Sequence, residues 1–210
     1  MSKNHNIGEQ IVPDFEIENY LNSTLGNWRK FSKKQKDDIF VITDYLNQTK
    51  IDFVEDRVLR TVQAWECAAK YWQEEIQLSE DLKDLRLKLK DTFNNWKKEK
   101  KFNESNGELG KKILDSIEQE KLLSRLNNLI TNQSLKAETI SLKLRELKNL
   151  RDAVAHSGRI NVPGSEAIEI LEPGVFGLQL LLLKKLGYNG LVMSGKDGWR
   201  TFGKLESYFA

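Results

Sequence analysis

The residues in this chain that are best suited to chemistry lie in one short segment, LRELKNLRDAVAHSGRINVPG, at positions 144–164. The segment contains His156, one of only two histidines among 210 residues; the other, His5, lies in a polar N-terminal segment. An imidazole titrates close to physiological pH and can therefore both donate and accept a proton during a reaction. Arg151 stands five positions earlier. His156 is therefore either an incidental residue at a helix end or half of an active site.

Helix geometry limits how these side chains can cooperate. Asp152 and His156 are four residues apart, so on a helix they lie one above the other, and the carboxylate can fix the tautomer of the imidazole. Arg151 is turned away from His156 by about 140°. A tight cluster of the two therefore requires that the helix end unwinds or that a second copy of the chain supplies the arginine. The alternative is a histidine that the helix dipole favours near a C terminus, by about 0.3–1 kcal/mol.

The elements that must position this segment are long amphipathic helices. From Val54 to Ile76, apolar or small residues recur at steps of three and four, which is typical of one helix face. Residues 32–48 follow a similar pattern, with Ser32 as a candidate N-cap. The remaining predicted helices are 79–96 with Ser79 as N-cap, 109–130, 134–157 with Ser134 as N-cap and Gly158 after its end, and 165–186 with a kink or break at Pro173-Gly174.

The predicted fold is all-α, a bundle of four or five long helices in which 54–76 and 79–96 are antiparallel neighbours joined by a short turn. We assign residues 1–48 to an N-terminal helical appendage, 49–187 to the bundle and 188–210 to a C-terminal tail packed on the bundle. No strong period-2 strand pattern is present, so we expect the tail to be irregular. The apolar run FGLQLLLLKKLGY must be buried, either in the core or against another subunit.

Composition narrows the class of protein. Apolar residues make up 39% and charged residues 30% of the chain, which favours helices with solvated, charged faces. A net charge of +2 permits contact with RNA without demanding it. The single cysteine, Cys67, cannot form an intramolecular disulfide, and no Cys/His cluster has the spacing of a metal site. We therefore expect a reduced, cytoplasmic, soluble protein without a signal peptide, a membrane span, a metal or a cofactor.

The string RDAVAH, with LKNL before it and SGRI after it, resembles the signature of the HEPN superfamily (higher eukaryotes and prokaryotes nucleotide-binding domains). That signature is an arginine, a polar residue, a few variable residues and a histidine near the end of the penultimate long helix. Arg151, Asp152 and His156 match it. The string FVEDRVLRTVQAWECAAKYW also resembles the first bundle helix of ApeA-like HEPN proteins. The resemblance covers roughly residues 50–187, and the segment 1–48 is short beside the large N-terminal domain of ApeA-like proteins.

The resemblance implies a metal-independent endoribonuclease that acts as a homodimer, with the two motif helices meeting at a cleft. It further implies a toxin or antiviral defence effector, with a cognate antitoxin or regulatory protein as a further partner. RNA cleavage of this kind needs proton transfer at two oxygens and cations beside the phosphate. In this reading His156 is the acid or base, Arg151 binds the phosphate and Asp152 orients the imidazole.

Further candidates surround the motif. Glu66, close to the apolar stripe of 54–76, is either a partner for the motif arginine or histidine, as HEPN relatives suggest, or an exposed helical glutamate. Arg159, just beyond Gly158, is a candidate phosphate contact. A basic run at a predicted helix end forms either an RNA-facing patch or a solvated terminus that the helix dipole favours. The run consists of Lys97, Lys98, Lys100 and Lys101, flanked by Trp96 and Phe102.

Two other functions compete with the ribonuclease. A catalytically silent HEPN module would bind a nucleotide or a partner protein and regulate it. A purely structural helical adaptor would make the motif a coincidence. Because silent members can lack one or both motif residues, the intact pair of Arg151 and His156 favours the enzyme.

Overall fold

The structure, a computed structural model, describes residues 11–49, 53–72, 80–99, 122–196 and 199–210. This part of the chain is mostly helical, as predicted, with one small sheet of two strands. The α-helices among these residues are α1 (Ile17–Lys30), α2 (Lys33–Gln48), α3 (Val54–Trp72), α4 (Glu80–Glu99), α5 (Leu122–Asn132), α6 (Leu144–Ser157) and α7 (Gly164–Lys185). The strands are β1 (Leu191–Lys196) and β2 (Trp199–Lys204).

The chain divides into two compact units. One contains the described residues of 1–73 and 126–210, and the other contains those of 74–125. The first unit therefore holds α1, α2, α3, α6, α7 and the strands, together with the motif segment. The predicted domain boundaries after residues 48 and 187 stay a prediction.

Helix α3 lies at the centre of the first unit and packs against α2, α6 and α7. The stripe predicted from the sequence is its buried side, and Val58, Val62 and Trp65 are almost completely shielded from solvent. Helix α2 begins as predicted at Ser32, whose hydroxyl accepts a hydrogen bond from the backbone of Gln35 while the Gln35 side chain accepts one from the backbone of Ser32. The local signals for these two helices are therefore sufficient to define them.

Two glycines of α7 allow it to approach α3 closely around Trp65. The indole Nε1 of Trp65 donates a buried hydrogen bond of 3.0 Å to the carbonyl of Gly174. A Cβ atom at Gly177 would lie 3.0 Å from Cδ1 of Ile140 and 3.2 Å from Cζ2 of Trp65, closer than ordinary packing allows. Pro173 lies inside α7 without ending it. Of the predicted kink or break, the break is absent, because the helix continues to Lys185. The region is a contact between helices.

The motif helix begins later than predicted. Its N-cap is Lys143, and the proposed N-cap Ser134 has a positive φ of 58° in a turn that follows α5. The carbonyl of Ser134 accepts a hydrogen bond of 2.8 Å from Ala210, and the amide of Lys136 donates one of 2.8 Å to Tyr208. Residue 134 therefore lies in a turn that the C-terminal residues stabilise, and not at the N terminus of a helix. These contacts are long-range, so no local sequence pattern indicates them.

The C-terminal tail contains an antiparallel hairpin, so the prediction of an irregular tail was wrong. Val192 of β1 is fully buried, whereas Phe202 of β2 is exposed. The hydroxyls of Ser194 and Thr201 face each other across the strands at 2.8 Å. Gly195 and Gly203 interrupt the alternation of side chains, which explains why the strands leave a weak period-2 pattern.

Helix α4, in the second compact unit, carries its apolar side chains differently from the prediction. Leu85, Leu89 and Trp96, which belong to the stripe expected to face a neighbouring helix, are exposed. Glu80 and Asp81 lie in its first turn as predicted. The proposed N-cap Ser79, the turn at 73–79 and the start of the predicted helix 109–130 lie outside the described residues.

Candidate functional site

Helix α6 ends at the motif, as the sequence predicts. Gly158 has a φ of 71°, a conformation that suits glycine, and its N–H closes the helix by bonding to the carbonyl of Val154 at 2.8 Å. Leu147, Leu150 and Val154 are buried and fix which side of α6 faces the core. Arg151 and Asp152 consequently lie at the half-buried margin of the helix, and His156 is exposed in its last turn.

Arg151 joins the motif helix to α3 through Glu66. Its Nη2 lies 3.0 Å from Oε1 of Glu66, and its Nη1 lies 3.0 Å from Oδ1 of Asp152. The arginine and glutamate side chains are 36% and 32% exposed, so solvent reaches both. Of the two readings left open for Glu66, the structure therefore shows the partner of the motif arginine.

Lys148 is a fourth member of this group that the sequence reasoning missed. Its ammonium group forms an ion pair with Oδ2 of Asp152, one helical turn further along α6. Glu66, Arg151, Asp152 and Lys148 thus alternate in charge, and we call these four residues the charge cluster. The spacing of four between Lys148 and Asp152 is the sequence signal that could have identified this pair.

The cluster alters the acidity of its central carboxyl. The hydrogen bond from Lys148 lowers the pKa of Asp152 below its ordinary value, and the hydrogen bond from Arg151 lowers it further. Partial burial opposes this shift because it disfavours the charged form. Asp152 is therefore held as a carboxylate.

His156 is not a member of the charge cluster. Within the part of the chain that the structure describes, no hydrogen bond links it to Asp152, the residue expected to orient it. Both carboxylate oxygens of Asp152 are instead engaged by Lys148 and Arg151. Hydrogen bonds between charged groups such as these are stronger than those between neutral groups. In this arrangement the imidazole is free to meet a group from outside the monomer.

The residues proposed to contact RNA are distributed over both units. Arg159 is exposed just after the motif helix, and its backbone N–H donates to the hydroxyl of Ser157 at 3.4 Å. Lys97 and Lys98 are exposed in the last turn of α4, in the other compact unit. Lys100 and Lys101 lie outside the described residues.

Cys67, which follows Glu66 on α3, does not have the properties of a nucleophile. Burial raises the pKa of its thiol, and the charge of Glu66 raises it further. Because the thiolate is the reactive form, this environment suppresses its reactivity. Among the residues that the structure describes, His, Cys, Asp and Glu side chains form no group of three that could hold a metal ion. The charge cluster and His156 are therefore the strongest candidates for chemistry in the first unit.

Comparisons with known proteins add no relative. No protein-family model, curated protein or solved structure matches the chain. None of the helices in the described ranges combines the length and apolar character that spanning a membrane requires. Proposals about function therefore rest on the geometry of α3 and α6.

Proposed function

We propose that the protein is a metal-independent endoribonuclease of the HEPN type, acting in the cytoplasm as a toxin or antiviral defence effector. The observation that carries this proposal is the position of Arg151. Its guanidinium is anchored at a solvent-accessible site by Glu66 of α3, and an exposed histidine follows five residues later, near the end of the same helix. An anchored guanidinium can bind the phosphate, and an accessible imidazole can transfer a proton in this reaction.

In the proposed reaction, the imidazole and the guanidinium have different roles. The 2′-hydroxyl of RNA attacks the adjacent phosphorus, and the 5′-oxygen of the next nucleotide leaves. The products are a 2′,3′-cyclic phosphate and a free 5′-hydroxyl. One imidazole accepts the proton of the 2′-hydroxyl, and a second group protonates the departing oxygen. Arg151 stabilises the charge that develops on the non-bridging phosphate oxygens.

The charge cluster supports a role for Arg151 in phosphate binding. A phosphate that binds Nη1 of the guanidinium competes with Asp152, and Asp152 can be released at low cost. Lys148 already binds its other oxygen, so Asp152 keeps a cationic partner when Arg151 turns to a ligand. Glu66 can hold the second edge of the guanidinium and maintain its orientation.

The single histidine of the motif supports assembly by two copies. Acid and base must act on opposite sides of the phosphorus, and each motif helix supplies only His156. Arg151 points along the margin of α6 toward α3, whereas His156 is exposed at the helix end. A homodimer that brings two motif helices together would supply two imidazoles and two guanidinium groups to one cleft.

The test is cleavage of RNA in the presence of EDTA. We expect His156→Ala and Arg151→Ala to abolish the cleavage that the wild type shows, and Arg145→Ala, an exposed arginine on the same helix, to leave the rate nearly unchanged. Analysis of the products should find cyclic phosphate ends. Activity that survives both motif substitutions would refute the assigned site. Growth arrest on expression, relieved by His156→Ala, is a second measurement.

A catalytically silent module is the second candidate, and one observation favours it. Two carboxylates within the monomer already surround Arg151, which is also the geometry of a structural ion pair between α3 and α6. On this reading the wild type cleaves no RNA, and Arg151→Ala lowers stability without any loss of activity. Measuring both quantities on the same variants separates the two functions.

A further inference from the structure

Helix α1 exposes a row of large apolar side chains. Ile17, Leu21 and Leu25 follow one another at steps of four, and they are 43%, 44% and 49% exposed. A spacing of four keeps side chains on one side of a helix. We call these three residues the α1 stripe. Contiguous exposed apolar surface of this kind marks an interaction site more often than isolated exposed residues do.

Aromatic pairs extend the apolar surface at both ends of the stripe. Phe15, which precedes α1, contacts Phe202 of β2 with ring centroids 5.7 Å apart. At the other end, Trp28 contacts Phe40 of α2 at 5.3 Å. Phe15, Phe40 and Phe202 are all more than half exposed. Aromatic side chains of this kind are enriched in the energetically dominant parts of protein interfaces.

The stripe is not the side of α1 that packs on the protein. That side is defined by Tyr20, whose ring contacts Tyr188 at 5.7 Å, and by Asn27, whose amide donates to the carbonyl of Leu186 at 3.2 Å. Thr24 on the same side is buried. Helix α1 is thus held in place by polar and aromatic contacts on one side and presents leucines on the other.

The charges beside the stripe would be complementary between two antiparallel copies of α1. Glu18 lies near the N-terminal end of α1 and Arg29 near its C-terminal end, eleven positions later. Eleven residues correspond to about three helical turns, so the two charges lie on the same side of the helix. Both are exposed, and neither forms an ion pair with a residue that the structure describes. Two antiparallel copies of α1 would place each Glu18 opposite the Arg29 of the other copy.

We propose that the α1 stripe binds the α1 stripe of a second copy of this chain, antiparallel and about a two-fold axis. In this arrangement Leu21 of one copy packs against Leu25 of the other, and the pairing of Glu18 with Arg29 occurs twice. The aromatic pair at the start of α1 meets the aromatic pair at its end. The opposed helix dipoles favour the same orientation. This contact is separate from the proposed cleft between motif helices and does not depend on ribonuclease activity.

Charge reversal tests the antiparallel pairing by sedimentation velocity of the full chain. We expect Glu18→Arg and Arg29→Glu to raise the dissociation constant about tenfold or more, because each places like charges opposite one another. The double variant should restore association to near the wild-type level. Leu21→Ser combined with Leu25→Ser should weaken association at least as much as either reversal. Phe53→Ser, an exposed apolar residue outside the stripe, is the matched control and should have no effect.

Disulfide trapping tests the orientation directly. In a Cys67→Ser background, Glu18→Cys and Arg29→Cys chains are expected to form a mixed disulfide dimer when combined, and to form far less of one separately. A dimer of Glu18→Cys with itself would indicate parallel helices and overturn the proposal. Circular dichroism confirms that each variant is folded.

Two further outcomes would also overturn the proposal. If the wild type stays monomeric at micromolar concentration, the stripe does not bind a second copy of the chain. Its occupant would then be another partner or residues 1–10 of the same chain. Association that is insensitive to the stripe and charge variants, but is lost when residues of the motif helix are changed, would place the contact at the proposed cleft alone. The first result counts against both interfaces, whereas the second leaves the ribonuclease proposal intact.

Discussion

Trp65 and Glu66 are neighbours in the sequence but belong to different regions of the molecule. Trp65 is fully buried, and the one polar atom of its side chain, Nε1, donates a hydrogen bond to the carbonyl of Gly174. Glu66 faces the margin of the same helix, where its carboxylate holds Arg151 at 3.0 Å in partial contact with solvent. Helix α3 therefore contributes to both the core and the charge cluster, through two adjacent residues.

The two regions differ in what holds them together. Around Trp65, close packing against two glycines leaves little room for change, and shape determines the contact. In the charge cluster, partly exposed ion pairs are individually weak and can exchange partners. The rigid region fixes how closely α7 packs against α3, and the exchangeable region, between α3 and α6, lies where a ligand can reach it.

Trp65→Ala should cause the largest loss of stability. It removes a buried indole and leaves the site with a cavity, which typically costs about 3–5 kcal/mol. We expect the free energy of unfolding, measured with urea, to fall by this amount. Trp72→Ala, a partly exposed tryptophan of the same helix, is the control and should cost less. Equal losses would show that Trp65 is not the centre of the core.

Gly177→Ala should be the next most damaging change. The added methyl group would lie 3.0 Å from the end of Ile140 and 3.2 Å from the indole ring of Trp65, so these neighbours must give way by a few tenths of an ångström, and the indole is held by its buried hydrogen bond to Gly174. Overpacking of this kind costs about 1–3 kcal/mol. Gly164→Ala, where nothing lies within 4 Å of the added atom, is the matched control for thermal unfolding. If Gly164→Ala lowered the unfolding temperature and Gly177→Ala did not, the close contact of Gly177 with Trp65 would be contradicted.

The pair of Glu66 and Arg151 should contribute a smaller amount. A double-mutant cycle with Glu66→Ala and Arg151→Ala should give a coupling free energy of about 0.5–1 kcal/mol, because both side chains are partly exposed. High salt should reduce this coupling. A coupling energy near zero would mean that the pair does not hold α3 to α6.

Asp152 should make stability depend on pH in acid. Because its pKa is lowered in the folded protein, its contribution is present above the pKa of the unfolded chain, about 3.9. That contribution is lost as the pH falls from this value through the lower folded pKa. The difference in unfolding free energy between wild type and Asp152→Asn should therefore shrink below about pH 4. A difference that stays constant to lower pH would show that Lys148 and Arg151 do not lower the pKa of Asp152.

His156→Ala should have the smallest effect on stability and the largest on proposed activity. The side chain is exposed, so we expect the free energy of unfolding to change by less than about 0.5 kcal/mol. The rate of RNA cleavage should fall to background. A large loss of stability would instead show that His156 has a structural role at the helix end.

Local sequence signals predicted the elements that depend on neighbouring residues. Ser32 and Gln35 form a capping box within one turn, and Gly158 ends α6 through its own backbone conformation. The apolar steps of α3 identified its buried side because a helix projects such residues in one direction. Glu66 was recognised as a candidate partner, but spacing alone left it equally open as a solvated glutamate.

Features that depend on distant contacts were not predictable in the same way. Ser134 has the side chain of an N-cap, but the C-terminal residues hold it in a turn, and α6 starts at Leu144. The hairpin of β1 and β2 has glycines where an alternating pattern would need side chains. Asp152 was assigned to His156 by helical spacing, although Lys148 has the same spacing on the other side and carries a full charge.

The contact between the turn after α5 and the C-terminal residues also has a consequence for the order of folding. Lys136 and Ser207, which are joined there, lie 71 positions apart, and Leu135 pairs with Phe209 beside them. Closing so long a loop carries a large entropy loss, so this contact should form after the helices. In the native state, the amides of Lys136 and Ala210 should exchange with solvent together, as one cooperative opening unit. Deletion of Ala210, which removes its backbone hydrogen bond to Ser134, should therefore destabilise the turn that precedes the motif helix without disturbing the packing around Trp65.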